Sequence, residues 1–204
     1  MFDKTKIFNL ALGALQIQKT ISNADTDPSK EVLTLNVFWD LAYQTALEDM
    51  DLDSTSSRKT LELLKTEPNE FWRYAYKYPT DCAFLRRIVS GTVTDDQFTR
   101  EDMRVEMFEG DKVIMCNRRE AEIEYIAKDF PVDSLTPQAA YYVSLLLARL
   151  SLPLVAGTNK KAITDEIKDN LTMALLGAQA RDGKETSIYQ PDYMKSEFVK
   201  ARLS

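Results

Sequence analysis

Apolar side chains recur at three- and four-residue steps in four stretches of this chain, with a block of different rhythm between the second and the third. Ile7, Leu10, Ala11, Ala14 and Leu15 carry the first stripe and predict a helix from Asp3 to about Gln18. Thr20 to Asp27 is rich in Ser, Asn and Asp, which favour turns by bonding their own backbone. Asp27-Pro28 then marks a helix start: the carboxylate can cap free amides, and proline fits a first turn where its missing N–H has no partner. From Ser29 to about Asp49, Val32, Leu35, Trp39, Ala42 and Ala46 form the second stripe. Leu33, Val37 and Leu41 widen it, which predicts a helix buried on more than one side. Asp51 to Ser57 breaks the pattern, and Thr60 to Lys65 predicts a short further turn of helix.

The rhythm changes near Glu70. Phe71 to Tyr78 is dense in aromatics with partial alternation, as suits a strand; Pro79-Thr80-Asp81 is a turn, and Cys82 to Ile88 reads as extended. Val105 to Phe108 and Lys112 to Met115 flank Glu109-Gly110-Asp111 and predict a hairpin. In Glu120 to Tyr125 the alternation is strict, with Ala121, Ile123 and Tyr125 on one face and Glu120, Glu122 and Glu124 on the other. That predicts a half-buried strand with an acidic solvent face.

Helical spacing returns at Thr136-Pro137 and runs through Ala139, Ala140, Val143, Leu146, Leu147 and Leu150 until Pro153 kinks or ends it. After Gly157, Ile163, Ile167, Leu171, Ala174, Leu175 and Ala178 predict a fourth helix stopping near Asp182-Gly183. Each stripe must be covered, so the expected fold is mainly α with β: a four-helix bundle (residues 1–69 and 130–183), a β insertion between helices two and three (70–129) and an extended C-terminal arm (184–204). The arm holds Ile188, Tyr189, Tyr193, Met194, Phe198 and Leu203 without a clean period, and large apolar groups there need a surface to cover.

Composition narrows the chemistry. The chain has 204 residues, enough for one domain or one domain with a large insertion. A net charge of −6 argues against a tight grip on nucleic acid, but not against a wall that DNA passes. With no histidine, a Ser-His-Asp or Cys-His device and a histidine metal site cannot be built, and neither common glycine-rich nucleotide cradle occurs. Cys82 and Cys116 are far apart in sequence and read as free thiols in a reducing compartment. Met1 to Lys6 is too polar for a secretory signal, and the apolar run Ala139 to Ala156, broken by Arg149 and Pro153, reads as a buried helix and not a membrane span. No cofactor, metal or catalytic residue is predicted.

Several features admit two readings. Trp72, Tyr74, Tyr76 and Tyr78 can be a base-stacking platform or strand packing with subunit contact, and the charge balance favours the latter. Alternate strand positions lie roughly 6.5–7 Å apart, so Glu120, Glu122 and Glu124 have a spacing superficially suited to an inverting glycosidase. Such catalysis needs one carboxyl raised in pKa by burial, and any strand with an acidic solvent face has the same spacing. Asp95-Asp96 and Glu101-Asp102 read as solvated loop charge. The doublets Arg86-Arg87 and Arg118-Arg119 can meet acidic patches on a neighbour or DNA phosphates, or serve intrachain ion pairs. Cys82 reads as a small buried apolar residue. In the arm, Tyr189, Tyr193 and Phe198, with Arg202, are the candidates for docking on a partner.

One family shares this order of features. Asn9-Leu10-Ala11-Leu12 opens the first helix, and an acidic turn precedes a second helix ending in Glu48-Asp49. Trp72-Arg73-Tyr74-Ala75-Tyr76-Lys77-Tyr78-Pro79-Thr80-Asp81-Cys82 leads to the Phe108-Glu109-Gly110 hairpin, and Glu124-Tyr125-Ile126 with Asp129 closes the insertion. Over nearly its whole length the chain resembles the tail tubular protein A, or head-to-tail adaptor, family of T7-like short-tailed bacteriophages. It departs from that family at Asp51 to Ser57, where an aromatic stretch is common. The resemblance implies a non-enzymatic virion protein. It would form a ring, typically of twelve copies, between the portal protein and the tail nozzle, with the bundle and arm toward the portal and the β insertion toward the nozzle. DNA would pass through the ring without sequence-specific binding, and no membrane is involved. Trp72, Tyr74, Arg118 and Arg119 join the arm residues as expected contact points. The competing class is a tail-associated glycan hydrolase using carboxylates.

Overall fold

The computed structural model describes residues 2–89, 103–155 and 160–186. The described chain holds helices α1 (Lys4–Ala14), α2 (Lys30–Met50), α3 (Pro137–Val155) and α4 (Lys160–Thr186). Its strands are β1 (Ser56–Thr60), β2 (Leu63–Thr66), β3 (Tyr74–Lys77), β4 (Cys82–Val89), β5 (Met103–Phe108), β6 (Asp111–Cys116) and β7 (Glu122–Ala127).

This is an α+β fold, and the expected four-helix bundle is wrong. A bundle shares one core equally among four helices around a central seam. Here α3 is itself the centre: α1, α2 and α4 all pack on it, while α2 and α4 touch only lightly. Ala139, Ala140, Val143, Leu145, Leu147 and Ala148 are all buried, as expected of a helix that is apolar around its whole circumference. The strands, moreover, build cores of their own.

α1 is shorter than its stripe suggested. Asp3 caps it, its carboxylate accepting from Lys6 N at 2.8 Å, and it ends at Leu15 before Gln16 takes a positive φ of 59°. The chain then stays irregular up to α2 and is held by side chains of both helices. Asn9 bonds both the N–H and the C=O of Ile21, Thr5 accepts from Ala24 N, and Asn36 donates to Ala24 O. α4 runs through Gly183 where a stop was expected, because the Asp182 side chain is spent on another element: its carboxylate accepts from Asp53 N at 2.7 Å and Ser54 N at 3.1 Å. It thereby caps the 3-10 turn Asp53–Thr55 that leads into β1.

Both sheets are antiparallel, one in the order β1-β7-β4 and the other β2-β3-β6-β5. The chain changes sheet at β1–β2, β3–β4, β4–β5 and β6–β7, and the sheets face one another over Leu61, Tyr76, Ile88, Ile114, Ile123 and Tyr125. Thr60 to Lys65, expected as helix, crosses from β1 into β2. The Ser-Ser-Arg-Lys-Thr of β1 has no apolar rhythm to read, and only its pairing with β7 makes it a strand. The predicted hairpin is present as β5–β6, closed by Glu109 and Gly110 with φ of 52° and 94°, the left-handed pair that a two-residue hairpin turn requires. Ile126 of β7 belongs to the helical core and ties the two parts of the fold together.

Candidate functional site

At the seam between helices and sheets lies a charged cluster. β7 is the middle strand of its sheet, and Ile123, Glu124, Tyr125 and Ile126 are all buried. The acidic solvent face expected of this strand therefore does not exist at Glu124, whose side chain is only 6% exposed. Glu120 is exposed in the turn before the strand, with a φ of 59°. A register shift between Leu85 and Arg87 makes Arg86 a bulge residue, and a bulge turns consecutive side chains toward one side. Arg87 Nη2 thus reaches Glu124 Oε2 at 2.9 Å and Arg86 Nη1 reaches Oε1 at 3.6 Å, while Arg58 of β1 stands 3.6 Å from Oε2.

Arg86, 9% exposed, is held from the other side as well. It donates to Leu52 O at 2.6 Å and to the Ser56 hydroxyl, and pairs with Asp53 at 3.2 Å. Its Nε lies 2.8 Å from Asp51 Oδ1 as an ion pair without an in-line hydrogen bond. The stretch Asp51 to Ser56 is the one that grips Arg86. Burial pushes the Glu124 carboxyl up, but the Arg87 hydrogen bond and the charges of Arg87, Arg58 and Arg86 outweigh it and hold the pKa below its ordinary value. A general acid needs the opposite shift.

The aromatic run from Trp72 to Tyr78 is likewise spent on packing in β3 and its flanks. Tyr76 donates to Arg118 O at 2.7 Å and Cys82 Sγ donates to Tyr78 Oη at 3.2 Å. Asp81 accepts from Tyr125 at 2.9 Å and pairs with Lys59 at 3.2 Å. Burial, then the bond to Asp81, pushes Tyr125 up to about 12. Burial also raises the Cys82 thiol, which is the direction of an inert cysteine. Tyr74 and Tyr76 are tilted at 41° with centroids 6.2 Å apart, in the core between the sheets, whereas Trp72 packs with Phe108 on Ala75, Val113 and Met115. The four aromatics do not form one stacking surface.

Of the expected contact residues, Trp72, Tyr74, Arg118 and Arg119 lie in or beside one end of the second sheet, with Trp72 and Tyr74 packed into different cores. Tyr74 is level with Cys116, and Arg73 N donates to Asn117 Oδ1 at 2.9 Å. Trp72 and Tyr74 are half-buried, Arg118 partly covered and Arg119 exposed; Phe71 beside them is exposed. Tyr189, Tyr193, Phe198 and Arg202 lie outside the described residues.

An apolar feature of the surface was read differently in the sequence. Leu33, Val37 and Leu41 are 57%, 76% and 56% exposed. Spaced four apart, they stand on the side of α2 opposite Leu35, Ala42 and Ala46, so the second buried side expected of this helix is open among the described residues. Leu154 of α3 joins Leu33, Val37 and Pro28 around a shallow groove there. On α4, Met173, Leu176 and Ala180 are exposed on the side opposite Ile167, Leu171, Ala174 and Ala178. No family model matches the chain, and no curated protein matches it.

Proposed function

We propose that this chain is a structural adaptor subunit of a short-tailed bacteriophage, assembling in a ring between portal and tail nozzle around the DNA channel. The observation that carries the reading is the outward face of α2. A helix resting on a core by one side has no need of Leu33, Val37 and Leu41 on the other, and contiguous exposed apolar groups of this kind serve contact with another chain. The resemblance supplies the setting, and its most specific residues, Trp72 to Cys82, serve packing here, in keeping with a motif that shapes a scaffold. The arm at 184–204 is the segment offered to the portal.

Co-sedimentation with the portal ring of the same virus, with and without residues 184–204, tests this. Stoichiometric binding that needs the arm is expected. No binding by either form of the folded chain would overturn the proposal. The glycan-hydrolase reading has Glu124 against it, since three arginines keep that carboxylate charged. Replacing Glu120, Glu122 and Glu124 singly by Gln should leave unchanged any glycan cleavage a preparation displays.

A further inference from the structure

Two helices present exposed apolar stripes, and a single chain cannot bring one onto the other. Both α2 and α4 rest on α3, and they run in the same direction. Lys160 at the start of α4 donates to Pro153 O, next to the Leu154 that lines the groove by Leu33; at the far ends Gln179 donates to Met50 O at 3.2 Å and Asp182 caps the turn after α2. Each stripe lies on the side of its helix opposite that helix's own buried residues, and Leu154 at the end of α3 borders the stripe of α2. Two different faces within one chain are both covered by a heterologous contact, in which the first face of one copy meets the second face of the next.

Resting on the reading of this chain as an assembly subunit, we propose that the α2 stripe Leu33, Val37 and Leu41 is covered by the Met173, Leu176 and Ala180 face of α4 from a second copy, the two helices running parallel. Charge selects the parallel sense. With Leu33 beside Met173 and Val37 beside Leu176, the exposed Lys30 comes level with the exposed Asp169, and Leu41 comes level with Ala180. The antiparallel alternative sets Glu48 against Asp165, two exposed carboxylates. Parallel docking is also what rotation about an axis along the helices produces, because α2 and α4 share one direction in every copy. The Leu-x-x-x-Val-x-x-x-Leu ridge has the four-residue spacing that packs into the groove of a facing helix.

The test uses two full-length variants, Val37→Cys and Leu176→Cys, and a short bismaleimide; the native Cys82 and Cys116 are buried and give the background. Mixing the variants should give a cross-linked pair at least about tenfold above either variant alone, the scale on which apolar anchors change association. Adding Lys30→Glu to the first variant should lower that yield about two- to fivefold, as losing an exposed ion pair does. Equal self-linking of the Val37→Cys chain would mean that the stripe pairs with its own copy and would overturn the proposal. So would protection of that thiol in the isolated full chain that is released by removing residues 187–204, which would make the chain's own terminus the cover. Absence of mixed product at the highest soluble concentration would overturn it too. Portal binding is measured separately, so the adaptor reading and this contact can fail independently.

Discussion

α3 and β7 both sit at the centre of this protein, and they are buried by opposite means. α3 is covered by three helices and brings to the interior almost only hydrocarbon. Its two buried serines, Ser144 and Ser151, donate to carbonyls of their own helix, at 2.7 Å to Tyr141 O and 2.5 Å to Leu147 O, and the hydroxyl of Tyr142 reaches the neighbouring α2, donating to Asp49 Oδ2 at 2.9 Å. β7 is covered by a strand on each side and by a core on each face, and it brings in a carboxylate that no group of its own strand can satisfy. Glu124 depends on Arg58, Arg86 and Arg87 from β1 and β4, and Arg86 depends in turn on Asp51, Leu52 and Asp53 after α2. Apolar burial asks only for shape; burial of charge asks for particular partners at particular places.

Substitution at each centre would break or sharpen this contrast. The largest effect is expected at Leu147, fully buried in α3: Leu147→Ala should cost about 2–5 kcal/mol in urea unfolding, through lost transfer energy and the cavity left behind. A loss under about 1 kcal/mol would mean that α3 is not the hub on which the other helices depend. Glu124→Ala should cost about 3 kcal/mol by removing the buried carboxylate that Arg86 and Arg87 share, while the double change Glu124→Leu with Arg86→Met should recover most of it, because a buried pair is costlier to halve than to remove. Equal losses in the single and double variants would show instead that the rest of the Arg86 network carries the seam.

A pH series separates charge from shape. The folded-state pKa of Glu124 lies below its ordinary value of 4.5, so its contribution is complete above that value and is lost as pH falls through the lowered one. The stability gap between the parent and Glu124→Gln should accordingly be constant near neutrality and close with acidification below 4.5, whereas the gap for Leu147→Ala should not follow the same titration. A Glu124→Gln gap that widened with acid would reverse the assigned sign. The smallest effect is expected at Ser151→Ala, neutral or a gain of up to about 0.5 kcal/mol, since the hydroxyl serves only its own helix and Ala is the better helix former. A loss above about 1 kcal/mol there would give α3 a polar requirement it should not have.

Much of this was legible in the chain. The stripes of all four helices, the Glu109-Gly110 hairpin and the strand at β7 follow from local periodicity and turn chemistry. β1 and β2 were not, because Ser56 to Thr66 has no burial pattern of its own. The end of α4 was misread because Asp182-Gly183 looks like a stop until its carboxylate is seen to cap a turn far away in sequence. Glu124 looked like surface for a related reason: alternation gives the face of a strand but not what lies over that face.

By itself the sequence determined where helices and strands could form and that α2 carried too much hydrocarbon for one buried side, since these depend on neighbours within a few residues. Only the tertiary structure decided that α3 and not a shared seam would be the centre, that a bulge would aim Arg86 and Arg87 at one carboxylate, and that Leu33, Val37 and Leu41 would be left facing outward. Those outcomes depend on which distant segments arrive beside one another, and no local spacing encodes that.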